Sequence, residues 1–293
     1  MSWGLENRLS KIIQKDGKTL MFAVDHGYFL GAIKGLEQPK EMLKKLAPYA
    51  DALMLTRGLL TNCVSSNIKK PFILRADGGP SIGAAKEKIH SLADHEVMIT
   101  VEDALRLNAS AVAISIFVGT EYETKTMKNL SKMVSEAEKY GLPVLAVTAV
   151  GLSLDNLKED PKYLSLACRM AAEHGAHVVK TYYCTDGFEE VTGGCPVPVV
   201  MAGGKKVDEE IKALEQAYNA VSKGAIGVDM GRNIFQSPNS LKMIKALRKI
   251  IHKGFTPEQA YWSVPEGPYT KLDKKEKVSE PVDDKTAEES IPL

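Results

Sequence analysis

The apolar positions of this chain fall into short, nearly continuous runs. Each run ends in glycine or polar residues and is followed by a helix-sized stretch. Lys18 to Gly27 reads Lys-Thr-Leu-Met-Phe-Ala-Val-Asp-His-Gly, a strand with a polar end. The same form recurs from Asp51 to Thr56, Pro71 to Asp77, Ala111 to Val118, Pro143 to Val150, His177 to Tyr183, Val197 to Ala202 and Ile226 to Met230. Helical patterns are predicted around 3–14, 39–46 with Pro39 in the first turn, 102–107 and 124–140. Others are predicted at 163–174 with Gly175 as the stop, near 188–192, at 208–222 with Asp208 as N-cap, and at 239–252.

Strands that are apolar on both faces belong to a parallel sheet covered by helices. Strand–helix alternation of this count and length predicts an α/β chain folded as a (β/α)8 TIM barrel. A doubly wound open sheet is the structural rival, but its glycine-rich turn follows the first strand. Here the glycines gather after the seventh and eighth strands. One domain is predicted over residues 1–264, opened by a short helix. From about Pro265 the chain turns to mixed charge with few aromatics, so residues 268–293 read as a mobile charged tail.

Composition narrows the function. Among 293 residues the net charge is +1, which argues against a nucleic-acid partner. No apolar run approaches a membrane span, and the N-terminus lacks a signal-peptide core. The four cysteines, Cys63, Cys168, Cys184 and Cys195, form no close pair, which suits a cytoplasmic protein with reduced thiols. The histidines at 26, 90, 95, 174, 177 and 252 show no close metal-ligand spacing.

One residue breaks the apolar pattern. Lys180 lies in the middle of His-Val-Val-Lys-Thr-Tyr-Tyr. Burying an ammonium is costly, and the cost makes sense where a neutral amine is wanted, as in Schiff-base formation with a ketone. A lysine on an edge strand pointing at water is the alternative. In a barrel the active site lies at the C-terminal ends of the strands. The polar residues there are Asp25, His26, Arg57, Arg75, Asp77, Thr148, Lys180, Tyr182, Asp229 and Arg232. Alternation puts Val178 and Tyr182 on the face of Lys180, and Met21 and Ala23 on that of Asp25. Asp25 is a candidate acid/base, or else an aspartate satisfied by its turn or by Lys180. Gly203-Gly204-Lys205-Lys206 and Gly231-Arg232-Asn233 stand where barrels bind phosphate. Ordinary turn glycines beside solvated lysines are the alternative.

Four stretches carry a resemblance: Ala23-Val24-Asp25-His26-Gly27, Val179-Lys180-Thr181-Tyr182, Ala202-Gly203-Gly204-Lys205 and Met230-Gly231-Arg232-Asn233-Ile234-Phe235-Gln236. Together they resemble the archaeal-type (DhnA-type) class I aldolases, over roughly residues 3–262. The resemblance implies Lys180 as the Schiff-base lysine and Asp25 as an acid/base. It also implies phosphate held by Gly203, Gly204, Lys205, Gly231 and Arg232, and ring-shaped homo-oligomers, often decamers. His26, Arg57 and Thr148 are further candidates for substrate binding. The family's sugar-phosphate aldolases carry a proton-donating tyrosine and Pro-Arg-Gly at the end of strand five. This chain has Ala146-Val147-Thr148-Ala149-Val150-Gly151, with Thr148 in the tyrosine's place. That segment, with Asp25-His26-Gly27-Tyr28-Phe29, Lys180-Thr181-Tyr182-Tyr183 and Gly194-Cys195-Pro196-Val197-Pro198, is nearer to the autoinducer-2 thiolase (Lsr) branch.

That branch implies cleavage of a phosphorylated diketone with acetyl transfer to coenzyme A, and no required cofactor or metal. A ketose-phosphate aldolase (fructose-bisphosphate or methylglyoxal-linked) using Tyr182 or Tyr183 as the acid stays open. So do a non-catalytic sugar-phosphate-binding barrel and a metal-dependent barrel enzyme.

Overall fold

The computed structural model describes residues 2–150 and 159–265. The expected tail beyond 268 and the glycine expected to close strand five, Gly151, lie outside the described residues. Eight parallel strands close into a barrel, each beside its neighbour in sequence and the last beside the first. They are β1 (Thr19–Ala23), β2 (Ala52–Leu55), β3 (Phe72–Arg75) and β4 (Ala111–Val118). The second half comprises β5 (Val144–Val150), β6 (Val178–Thr181), β7 (Val199–Ala202) and β8 (Gly227–Met230).

Two sets of apolar side chains follow from the alternation of faces. Met21, Ala23, Met54, Ile73, Leu145, Val147, Val178 and Val200 fill the barrel interior. Leu20, Phe22, Leu53, Leu74, Ile114, Val179 and Met201 face outward into the helical layer. Below, Ile12 of the first helix (Trp3–Ile12) joins the interior set, so this helix plugs the N-terminal end. Packing on both faces explains why each strand reads as a continuous apolar run.

Several predicted elements shift. The third strand stops at Arg75, and Asp77–Gly78 turns aside to pair antiparallel with Glu96–Val97. The helix expected from Asp208 begins at Glu210, and its N-cap is Glu209 without a capping side-chain hydrogen bond. Short helices at Gly27–Leu30, Arg57–Cys63, Ile82–Lys86, Arg232–Phe235 and Pro257–Trp262 were too brief for a helical period to register. No helix of the described residues is long and apolar enough to cross a membrane.

Candidate active site

The interior set is apolar at the bottom of the barrel and becomes polar at the C-terminal end. Lys180 is the next inward position after Val178 on β6, with Val147 and Val200 as its neighbours in register. Those valines offer the ammonium nothing. Its counterion comes from β8, where Oδ2 of Asp229 lies 3.0 Å from Nζ. The lysine side chain is 10% exposed and the aspartate 0%. Burial pushes the Asp229 carboxyl above its ordinary value, Lys180 draws it back, and Asp25 adds to the push.

A second network faces this pair. Arg75, at the end of β3, donates to Asp25 Oδ2 from Nε (2.9 Å) and lies 2.8 Å from it through a terminal nitrogen. Its other terminal nitrogen donates to Asp77 Oδ1 (3.0 Å) and Ser115 Oγ (2.7 Å). Burial alone would raise Asp25, but the charges of Arg75, first, and Lys180 override it and hold the carboxyl below its ordinary value. Asp77 is likewise held low, against its burial, by Arg75, by His95 at 2.8 Å and by the Ser115 amide. His26 is neutral, pushed down to about 3 by burial, which Asp25 opposes and Arg232 reinforces. Asp25 thus stays ionised while Asp229 is biased toward holding a proton. Two carboxyls split in this way are chemically able to serve as a base and an acid.

Loops seven and eight form the far wall. At Gly204 φ is +64°, the left-handed region that glycine occupies without strain. A Cβ on Gly203 would come 2.5 Å from Met230 Cγ, and one on Gly231 2.5 Å from His26 Cε1. Arg232 is buried at the start of a short helix. Asn233 ties the loops together. Its Nδ2 donates to Gly203 O (2.7 Å) and Lys205 O (2.9 Å), and its Oδ1 accepts from Val207 N (2.9 Å).

One cavity gathers Lys180, Asp25, His26, Thr148, Tyr182, Gly203, Gly204, Gly231 and Arg232, with Arg75, Ser115, Asp229 and Tyr28. Burial pushes the Tyr182 phenol up to about 12. Arg57, Lys205 and Asp77 do not line it, and Asp77 stands behind Arg75. Arg57 opens a helix after β2, and its guanidinium turns outward to Asp103, 2.9 Å away. Lys205 lies one residue beyond the lining glycines. Thr148 reaches the cavity edge, but its hydroxyl points into the helical layer, 2.9 Å from Thr181 Oγ1 and 3.2 Å from Lys180 O. Thr148 stands at the position of the family's tyrosine, and strand parity turns its hydroxyl away from the barrel interior. Val147 and Ala149 are the inward residues there, and neither carries a proton. Tyr28 and His95 were not among the expected site residues, and Asp229 and Asn233 stood among them without a role of their own. Among the described residues no group of three or more His, Cys, Asp or Glu is placed to hold a metal ion.

The chain is 47% identical over 262 residues to an uncharacterized aldolase of Pasteurella multocida, covering 89% of this chain and 87% of that protein. It is 46% identical, at the same coverage, to the 3-hydroxy-5-phosphonooxypentane-2,4-dione thiolase of Yersinia enterocolitica. In three dimensions it resembles an archaeal fructose 1,6-bisphosphate aldolase, with TM-score 0.76, 28% identity, and 85% of this chain and 100% of that one covered. A similar archaeal aldolase, solved with its catalytic lysine bound to the carbinolamine intermediate, superposes with TM-score 0.75 and 26% identity over 84% and 99%. The profile of the DeoC/LacD family of aldolases matches residues 19–237. The chain is therefore an enzyme of the DeoC/LacD aldolase family, of the DhnA-type class I kind that its motifs resemble.

Proposed function

We propose that this enzyme is a Schiff-base thiolase that cleaves a phosphorylated diketone of the 3-hydroxy-5-phosphonooxypentane-2,4-dione type, passing its acetyl group to coenzyme A. The observation that carries the reading is Lys180, inside the barrel and 3.0 Å from a carboxylate that burial biases toward protonation. Asp229 takes the ammonium proton and leaves a neutral amine. The amine adds to the ketone beside the phosphate-bearing carbon. Asp25, kept ionised by Arg75, moves protons as the carbinolamine loses water. The imine then accepts the electron pair of the breaking C–C bond while the thiol takes the acetyl group.

Gly203, Gly204, Gly231 and Arg232 hold the phosphate and fix the ketone against the amine. Lys205 adds long-range charge from the same loop, and Tyr182 closes the cavity as a neutral hydrogen-bonding phenol. Coenzyme A enters as a substrate, and no resident metal or cofactor is needed. Large apolar side chains exposed at Trp3, Ile89, Met98 and Trp262 support a homo-oligomer, which the family resemblance makes a ring or decamer. We place the reaction in the cytoplasm, where coenzyme A and reduced thiols belong together.

Fructose-bisphosphate aldolase activity is the second reading, favoured by the archaeal structural relatives. The inward Val147 and Ala149 speak against it, because they leave no proton donor on β5. A panel of phosphorylated ketones assayed with and without coenzyme A decides the matter. Acetyl thioester formation from the diketone supports the thiolase. Cleavage of fructose 1,6-bisphosphate without coenzyme A supports the rival.

A further inference from the structure

With β5 unable to supply a proton carrier, another group must serve the reacting carbons. Tyr28 lies on the short helix Gly27–Leu30, directly after Asp25 and His26, and lines the cavity of Lys180. Its ring packs against Phe29 at 4.9 Å. Behind its hydroxyl stands His95, with Nε2 at 3.5 Å. Nδ1 of His95 lies 2.8 Å from Asp77 Oδ2. That carboxylate also accepts from Arg75 and from the Ser115 amide, so its charge and position are fixed. The imidazole is 3% exposed and packs against Phe117 at 4.8 Å. A Cβ on Gly79 would come 2.9 Å from its Nε2, so glycine is what lets the ring sit there.

A histidine buried only for structure would be content with Asp77. Here its second nitrogen faces the one phenol between it and the cavity. The 3.5 Å gap is long for a hydrogen bond, as such contacts often are before substrate draws them in.

We propose that Tyr28, backed by His95 and Asp77, is the proton relay of this site, taking the proton of the acetyl-accepting thiol and delivering it to the substrate carbon. The proposal rests on the Schiff-base thiolase reading above. As sulfur attacks the acetyl carbonyl, its proton passes to the Tyr28 oxygen and the Tyr28 proton passes to His95 Nε2. Asp77 stabilises the imidazolium. The C–S bond forms, the C–C bond breaks, and its electron pair enters the Lys180 imine to give an enamine. The relay then runs backward and protonates the enamine carbon. Hydrolysis releases dihydroxyacetone phosphate and the free amine. No proton is gained or lost over the cycle. The charged groups facing Tyr28 are Arg75, Asp77 and Asp25. Burial raises the phenol well above its ordinary value, so protons pass through Tyr28 without its ionising.

The test uses full-length protein, Tyr28→Phe and His95→Gln, with three readouts. These are borohydride labelling of Lys180 by dihydroxyacetone phosphate, exchange of that ketone's carbon-bound hydrogen with heavy water, and thiolase turnover against pH. Tyr28→Phe is expected to keep the label while losing about 10²- to 10⁴-fold in exchange and turnover. His95→Gln should keep the label and lose exchange and turnover together, by a smaller factor. A labelled Tyr28→Phe enzyme that exchanges and turns over within twofold of the parent overturns the relay. A parent enzyme that does not label at Lys180 overturns the Schiff-base reading first, and the relay loses its carbon acceptor with it. If Tyr28→Phe does not fold, a labelled His95→Gln enzyme that exchanges and turns over within twofold of the parent overturns the relay alone.

Discussion

The amine of Lys180 and the carboxylate of Asp229 meet at 3.0 Å from strands that are not neighbours, with β7 between them. Barrel closure is what brings them together. Breaking a buried pair by removing one partner typically costs about 3–5 kcal/mol. Asp229→Asn should cost that much in urea unfolding, since it strands an ammonium in a cavity that already holds Arg75 and Arg232. Lys180→Met should cost less, because the stranded carboxyl, already biased by burial, takes up a proton. Equal losses would mean that the pair is not the buried unit described.

The proposed phosphate wall of loops seven and eight makes a separate prediction. Arg232→Ala should lower kcat/KM by about 10- to 150-fold, the worth of a charge-assisted hydrogen bond to the ligand. Most of the loss should fall in KM. Gly204→Ala forces a side chain into φ near +64° and should cost about 1–2 kcal/mol of stability. Steady-state kinetics with and without the substrate's phosphate checks the assignment, because neither variant should affect a substrate that lacks it.

Thr148 separates position in the sequence from direction in space. Its hydroxyl serves Thr181 and the Lys180 carbonyl in the helical layer. Thr148→Val should destabilise the fold by about 1–3 kcal/mol, by leaving a buried polar group unpaired, and leave kcat within a few-fold. A loss of 10²-fold or more at full stability would instead make Thr148 a proton carrier.

Two histidines should tilt stability in opposite directions with pH. His26 is pushed down to about 3 by burial, so the unfolded chain binds a proton that the folded chain refuses. Its stabilising contribution is fully present above about pH 6.5 and is lost as pH falls toward 3. His252 is raised, because Asp51 and Asp16, at 2.8 and 2.7 Å, outweigh its burial. Its contribution is fully present below about pH 6.5 and is lost as pH rises through the raised value. Urea midpoints across pH 4–9 should flatten on the acid side in His26→Gln and on the alkaline side in His252→Gln. His252→Gln should leave turnover unchanged, because the residue lies outside the cavity.

The barrel was legible because each strand is apolar on both faces and each ends in a polar or glycine signal. Lys180 was legible for the same reason, as one charge in an apolar run, and the loop glycines stood at positions that barrels use for phosphate. Arg57 misled because position at a strand end does not fix direction, and a surface carboxylate, Asp103, claimed it. Thr148 misled through one residue of strand parity. The Tyr28–His95 contact spans 67 residues, and His95 sits where the sequence predicts neither strand nor helix, so no local pattern announced it. Tyr28 did stand in a motif already singled out, Asp25-His26-Gly27-Tyr28-Phe29, and that was the only signal available.

In the proposed mechanism catalysis runs through a covalent imine at Lys180. Borohydride reduction in the presence of dihydroxyacetone phosphate, followed by peptide mapping, tests it most directly. The expected result is loss of activity together with one reduced adduct, on the peptide that carries Lys180, and no adduct in Lys180→Ala. An adduct on another lysine, or full activity after reduction, would contradict it.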